Sequence, residues 1–258
     1  MSTKLPADKQ FVDVSDYARP FALALVKVLI PTKIGAYSLT TLFLVAGCLA
    51  SFLICKNLFL PFASILILVK SMLDAADGEI ARQRNQPSMV GRYYDSISDF
   101  IVNFLLFFSI GAVFGIRTTE IILALILFEL QGSVYNYYYL VKRYQANGDK
   151  TSRIIELSSP EPFPKDNPVL LKILHRTYVL IYGWQDLLIY TVDRDAIKAK
   201  ELPAWFLTTV SFLGLGFQLL VIAVLVLFEI HKLTFFIFIY PFTIYALIII
   251  SVRKLFVR

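Results

Sequence analysis

The sequence predicts an all-α, polytopic integral membrane protein of six transmembrane helices, preceded by an N-terminal amphipathic helix at the membrane interface. Three observations predict it. Hydrophobic residues make up 57% of the 258 and charged residues 17%, against about 45–50% and about 25% in soluble domains. Apolar runs long enough for a bilayer, which takes roughly 20 residues, occur at about 36–55, 57–80, 96–116, 119–141, 204–229 and 233–252. None shows the dyad alternation of a β-barrel, and a helix satisfies its backbone polar groups within one segment.

Each element follows from its local sequence. The N-terminal MSTKLPADKQ mixes Lys4, Asp8 and Lys9 with no short apolar core and no small-residue cleavage site, so no cleaved signal peptide is expected. In 11–30, Val14, Tyr17, Phe21, Leu25 and Val28 recur at spacings of three and four among Asp13, Asp16, Arg19 and Lys27. That periodicity suits a helix lying on a membrane surface. Residues 1–35 are therefore expected to form a cytoplasmic arm carrying this helix, and 36–258 one membrane domain.

The two cysteines, Cys48 and Cys55, both fall in the first run, which leaves no disulfide framework and no cysteine metal cluster. Asn85, Gln86, Pro87 and Ser88 fit a tight turn between the second and third spans. The long 142–203 loop opens on RYQANGDKTSR and passes EPFPKDNP. Prolines 160, 162, 164 and 168 exclude a helix before Val169. An amphipathic candidate then runs from Val169 to about Tyr190, with His175, Arg176, Trp184 and Asp186. Trp184, Trp205 and the helix-end tyrosines fit an aromatic belt.

Cations set the orientation, because Lys and Arg resist translocation. With both termini inside, 21 of the 25 Lys and Arg residues face the cytoplasm. Lys56, Arg117 and Lys232 remain outside, and Lys70 lies within a span. The net charge of +6 then belongs to the cytoplasmic membrane face, where it meets anionic headgroups or an anionic substrate; no nucleic-acid partner is expected.

The informative stretch is Leu73 to Phe100, LDAADGEIARQRNQPSMVGRYYDSISDF. Four aspartates at the ends of apolar helices are expensive unless they face a polar cavity, pair, or bind an ion. Asp74 and Asp77, three apart, share one helical face, and Gly91, Asp95 and Asp99 step by four along another. The intervening turn lets these faces converge. Four converging carboxylates repel unless a cation neutralises them, and all-oxygen ligation without His or Cys selects hard ions such as Mg2+, Mn2+ or Ca2+. Arg82 stands beside them as a cationic fork for a diphosphate, while Gly78, Ala81 and Gly91 leave room for a ligand near the backbone.

Read literally, the segment is Asp74-x2-Asp77-Gly78-x2-Ala81-Arg82-x8-Gly91-x3-Asp95-x3-Asp99. It resembles, at all eight positions, the signature of the CDP-alcohol phosphotransferase family. The resemblance implies a membrane enzyme of phospholipid biosynthesis that transfers a substituted phosphate group from a CDP-linked donor to an acceptor hydroxyl and releases CMP (EC 2.7.8.-). It implies a Mg2+ or Mn2+ pair held by Asp74, Asp77 and Asp95, with Asp99 as general base and further ligand. It implies a CDP pocket lined by Asp77, Gly78, Ala81, Arg82 and Gly91, a homodimer, and an active site facing the cytoplasm, in the inner membrane if the cell is bacterial. Upstream the pattern departs: where the family often has Pro-Asn followed shortly by Thr, this chain has Pro31-Thr32, with Thr40 farther on.

The shared motif does not say which side of the diphosphate carries lipid. The compact six-span size favours CDP-diacylglycerol donating to a small polar alcohol such as serine, inositol phosphate or glycerol phosphate. The alternative is CDP-choline or CDP-ethanolamine donating to diacylglycerol. A phosphorylated acceptor would draw on Arg84, Arg92, Lys142, Arg143 and Arg153. Asn136 and the tyrosines 135, 137, 138 and 139 either line an acceptor pocket or anchor the interface, and Glu129 is either functional or paired or protonated. A prenyltransferase would need two motifs far apart on a larger bundle. A divalent-cation transporter, the remote alternative, would spread its acids along a pathway across the bilayer.

Overall fold

The computed structural model describes residues 5–146, 148 and 152–257. Lys4, Lys150 and Arg258, counted above among the cytoplasmic cations, lie outside the described residues. Among the described residues eleven α-helices follow one another: α1 (Arg19–Leu29), α2 (Ala36–Cys55), α3 (Leu60–Gln83), α4 (Met89–Phe114), α5 (Thr118–Gln145), α6 (Pro168–Tyr178), α7 (Trp184–Val192), α8 (Ala204–Val210), α9 (Leu215–Leu227), α10 (Leu233–Ile239) and α11 (Pro241–Phe256). No strand occurs among the described residues.

Among the described residues four helical stretches are long and apolar enough to cross a membrane: α2, α4, α5 and the pair α10–α11. A fifth arises if α8 and α9 form one span, bent by 46°. Each of the four buries half or less of its apolar window, 28–50%, so the remainder faces outward. Leu42, Val45, Leu49 and Phe52 on α2, and Ile244, Leu247 and Ile248 on α11, form such outward faces. A water-soluble monomer seldom exposes this much contiguous apolar surface; the chain is an integral membrane protein.

Six spans were expected, and the run at 57–80 is the one that does not qualify by composition. It folds as the 24-residue α3, but every 18-residue window contains at least three charged residues, beginning with Lys70, Asp74 and Asp77. The run at 204–229 is broken because Gly214 adopts extended backbone between α8 and α9. There the N-terminal arm enters: Val14 N–H donates to Ser211 Oγ (2.9 Å) and Gly216 N–H to Ser15 Oγ (3.1 Å). A Cβ at Gly216 would collide with the Ser15 carbonyl oxygen.

The arm departs from the expected stripe. Its α-helix begins only at Arg19, with Pro20 in the first turn, where a missing N–H costs nothing. Ala22 and Val26 are the buried positions and pack with Leu39, Ala76 and Ile80 of α2 and α3, while Phe21 and Val28 point outward. The small residues face the bundle because α1 lies close against α3.

α2, α3 and α4 form the compact unit that positions the motif, with α9 against α3 and α6 against α4. Gly47 sets the α2–α4 approach: an added Cβ would fall 2.5 Å from both methyls of Val102. Val has little rotamer freedom to yield. Gly47→Ala is therefore expected to destabilise by about 1–3 kcal/mol through overpacking, read as a lowered melting temperature in detergent; an unchanged melt would place the helices farther apart.

The 142–203 segment folds largely as expected. Asn167 caps α6, its Oδ1 accepting from Val169 and Leu170 N–H. The helical run reaches Val192, interrupted by a π-helical turn at Val179–Gly183.

Candidate active site

α3 and α4 are joined by a turn over 84–88, where Asn85 adopts a left-handed φ of 51°, a conformation asparagine tolerates better than most residues. Ser88 caps α4 by accepting the Gly91 N–H at 2.8 Å. The turn folds the two motif-bearing faces together. Ligand oxygens of Asp74, Asp95 and Asp99 all lie within 4.8 Å of one another. Asp77 stands beside them, buried, accepting from Thr40 Oγ1 at 2.5 Å. All eight motif residues line one cavity of about 1040 Å3. Asp95 Oδ1 is buried with no hydrogen-bond partner among the described residues.

Two of these partners escaped the sequence reading. Lys70, 1% exposed, donates to Asp74 Oδ2 at 3.0 Å and pairs with Asp99 Oδ1. Its i,i+4 relation to Asp74 was readable, whereas Asp99 is 29 residues away and on another helix. Thr40 was set aside on its imperfect match to the family pattern. Arg82 lines the cavity and pairs with Glu79 at 2.9 Å, and a Cβ at Gly78 would lie 3.2 Å from its Nη1. Glu79 also receives Arg19 Nη1 at 3.3 Å, so the arm is tied to the motif helix.

Several basic residues considered for an acceptor phosphate are engaged elsewhere. Arg84 donates to the carbonyls of Leu29, Ile30, Thr32 and Ile34, Lys142 pairs with Glu201 at 2.8 Å, and Arg92 pairs with Glu156 at 2.6 Å. Arg143 and Arg153 line the cavity. Among the tyrosines, Tyr137 and Tyr138 donate to Asp193, to its carbonyl and its carboxylate respectively, both at 2.7 Å. Asp193 also pairs with Arg253, a buried network that ties α5 to α11. Tyr135 donates to Asp13 at 2.6 Å, and Tyr135, Asn136, Tyr137 and Tyr139 reach the cavity wall.

The 142–203 segment, which had no role in the sequence reading, forms a wall of this cavity through Arg153, Phe163, Lys165, Tyr178, Tyr182 and Asp186. Two carboxylates pin it to the start of α4. Glu156 takes Arg92, Tyr93 Oη (3.0 Å) and the Arg153 N–H (2.7 Å); Asp166 takes Ser88 Oγ, the Met89 N–H (2.8 Å) and the Phe163 N–H (3.1 Å). Burial pushes the Asp186 carboxyl up to about 7, helped by Glu156 and opposed by Arg92 and a hydrogen bond from Tyr178. A carboxyl raised in the folded state binds its proton more tightly there, so its contribution to stability is full at low pH. It is lost as pH rises from about 4 towards about 7. Asp186→Asn is expected to flatten the melting temperature across that window; an unchanged pH slope would mean that Asp186 is solvated.

The sequence profile described as CDP-alcohol phosphatidyltransferase matches residues 29–155, from the end of α1 to the beginning of the pinned wall. Residues 29–155 carry a domain of that family, which transfers phospholipid head groups from a CDP-alcohol. The chain is accordingly a transferase of phosphate-containing groups in phospholipid biosynthesis. A comparison with curated proteins found no match.

Proposed function

We propose that this chain transfers a phosphatidyl group from CDP-diacylglycerol to the hydroxyl of a small polar alcohol, releasing CMP. The observation that carries the reading is the convergence of Asp74, Asp95 and Asp99 within 4.8 Å in the cavity that Gly78, Ala81, Arg82 and Gly91 also line. Compact size supports the lipid-linked donor.

The residues fit a divalent metal: the donor set is all carboxylate, which suits hard ions, and the buried Asp95 Oδ1 lacks a partner. Asp74, Asp77, Asp95 and Asp99 would hold Mg2+ or Mn2+, in a two-metal site. When bound, the metal neutralises the diphosphate. Arg82 orients that diphosphate, and the small residues at 78, 81 and 91 admit the cytidine. Asp77, held by Thr40, also lines this pocket. Asp99 accepts the proton of the acceptor hydroxyl, whose oxygen bonds to the phosphorus distal to cytidine. The bridging P–O bond breaks, and its electron pair leaves with CMP.

The test is CMP release by the purified protein in detergent with Mg2+ or Mn2+, with CDP-diacylglycerol or CDP-choline offered against a panel of acceptors. Product from CDP-diacylglycerol that disappears with chelator is expected. Product from CDP-choline and diacylglycerol would reverse the lipid side, and turnover that survives chelation would overturn the metal mechanism.

In the same reading α3 is a sixth span, its charges turned into the cavity. Residues 36–258 form one membrane domain, and α1 lies at the interface with Phe21 and Val28 in lipid. Both termini and the site face the cytoplasm, supported by the cation distribution. Cysteines placed singly at exposed Asn57 and Lys165 should label from opposite sides of sealed vesicles; labelling from one side would remove the sixth span. The family resemblance supports a homodimer, readable as particle mass in nanodiscs.

A further inference from the structure

Below the carboxylate cluster the cavity changes character. Asn103 follows Asp99 by four residues on α4, so it continues the same face one turn deeper, roughly 6 Å along the axis. It is 1% exposed and donates Nδ2 to Glu129 Oε1 of α5 at 2.9 Å, while its Oδ1 is buried without a partner among the described residues. Gln218 of α9, also 1% exposed, donates to Phe128 O (3.1 Å) and Gln131 Oε1 (3.2 Å), and its Oε1 likewise has no partner among the described residues. Gly132, having no Cβ, leaves space in front of that oxygen. All three side chains line the cavity. Glu129 is 8% exposed, and no cation pairs with it among the described residues.

This end of the cavity presents one carboxylate and two amide oxygens without a partner among the described residues, buried where an unmet acceptor is costly. Lys70, the cation nearest in the fold, is bonded to Asp74 and Asp99. Arg143 lies 14 residues farther along α5, roughly 21 Å from Glu129. A phosphorylated acceptor would find no cation here. A protonated amine is the ligand such a set of oxygens would suit, and the one-turn step from Asp99 to Asn103 fits a hydroxyl and an amine separated by two carbons.

We propose that Asn103, Glu129 and Gln218 form the subsite for the amine end of a short amino alcohol whose hydroxyl, or hydroxyl-derived oxygen, lies at Asp99. The assignment rests on the transfer reaction proposed above. The amine arrives on free ethanolamine or serine when the donor is CDP-diacylglycerol, and on the CDP-linked alcohol when the lipid is the acceptor.

The test compares ethanolamine, serine, glycerol and glycerol 3-phosphate as acceptors with CDP-diacylglycerol, and CDP-ethanolamine with CDP-glycerol as donors to diacylglycerol. Mn2+-dependent CMP binding is measured on every variant. An amine-bearing substrate should be preferred in whichever arm turns over. Glu129→Gln should raise its KM roughly tenfold to a hundredfold, the loss of one charge-assisted hydrogen bond, with CMP binding retained. Should Glu129→Gln lose CMP binding and so prove misfolded, Gln218→Leu carries the same expectation. Preference for glycerol or glycerol 3-phosphate, or an unmoved KM, overturns the subsite while leaving the transferase reading intact. Absence of both turnover and CMP binding in the unmodified protein overturns that reading, and the subsite with it.

Discussion

Asp99→Asn is expected to lower CMP release by ~10²–10⁴-fold, the range associated with a lost general base. The substitution keeps the side-chain volume and removes the acceptor of the hydroxyl proton. Asp74 still engages Lys70 at 3.0 Å, so the helix pair keeps its counter-ion and the variant should fold. Single-turnover measurement with saturating donor separates chemistry from binding. Mn2+-dependent CMP binding should persist, weakened by the loss of one ligand. Wild-type turnover in this variant would remove Asp99 from the proton-transfer role.

The second large effect is expected at Lys70. Its ammonium is bonded to both Asp74 and Asp99 and lies 4.7 Å from the Phe43 ring centroid. Lys70→Met keeps the aliphatic stem and leaves two partly buried carboxylates without their cation. Breaking one side of such a pair costs about 3–5 kcal/mol. Thermal unfolding in detergent should show the variant well below the parent in chelator. Added Mg2+ or Mn2+ should close much of the gap, because an external cation replaces the tethered one. An equal deficit with and without metal would mean that Lys70 acts by packing alone.

Much of the site was legible because the signal is local. Asp74 with Asp77, and Gly91 with Asp95 and Asp99, needed only helical periodicity to be placed on common faces, and the turn residues 85–88 brought those faces together. Composition likewise exposed the membrane class. What the sequence hid depends on distant contacts. Nothing in a linear reading says that Thr40 meets Asp77, that Lys70 reaches Asp99, or that Glu156 seizes Arg92 from 64 positions away. The same limit explains the arm, where periodicity marked the outward stripe through Phe21 and Val28 and said nothing of Ala22 and Val26, which pack against the bundle. α3 shows the opposite problem: the charges that build the site are those that mask its character as a span.

The π-helical turn at Val179–Gly183 carries a lesson about sequence divergence. An α-helix advances its face by about 100° per residue, and a π turn absorbs an additional residue without breaking the run. Deleting one residue from α6, with the π turn left as it is, would rotate Trp184–Val192 by that angle against the start of α6. Asp186 would swing off the cavity wall, and Gln185 would leave Ser133, which now donates to its Oε1 at 2.9 Å. Substitutions along this stretch leave the wall's phase intact, and so does loss of one residue from 179–183, where the extra residue and its wide turn go together. Drift in this enzyme is therefore expected to be free in letter between Pro168 and Val192 and constrained in count outside 179–183.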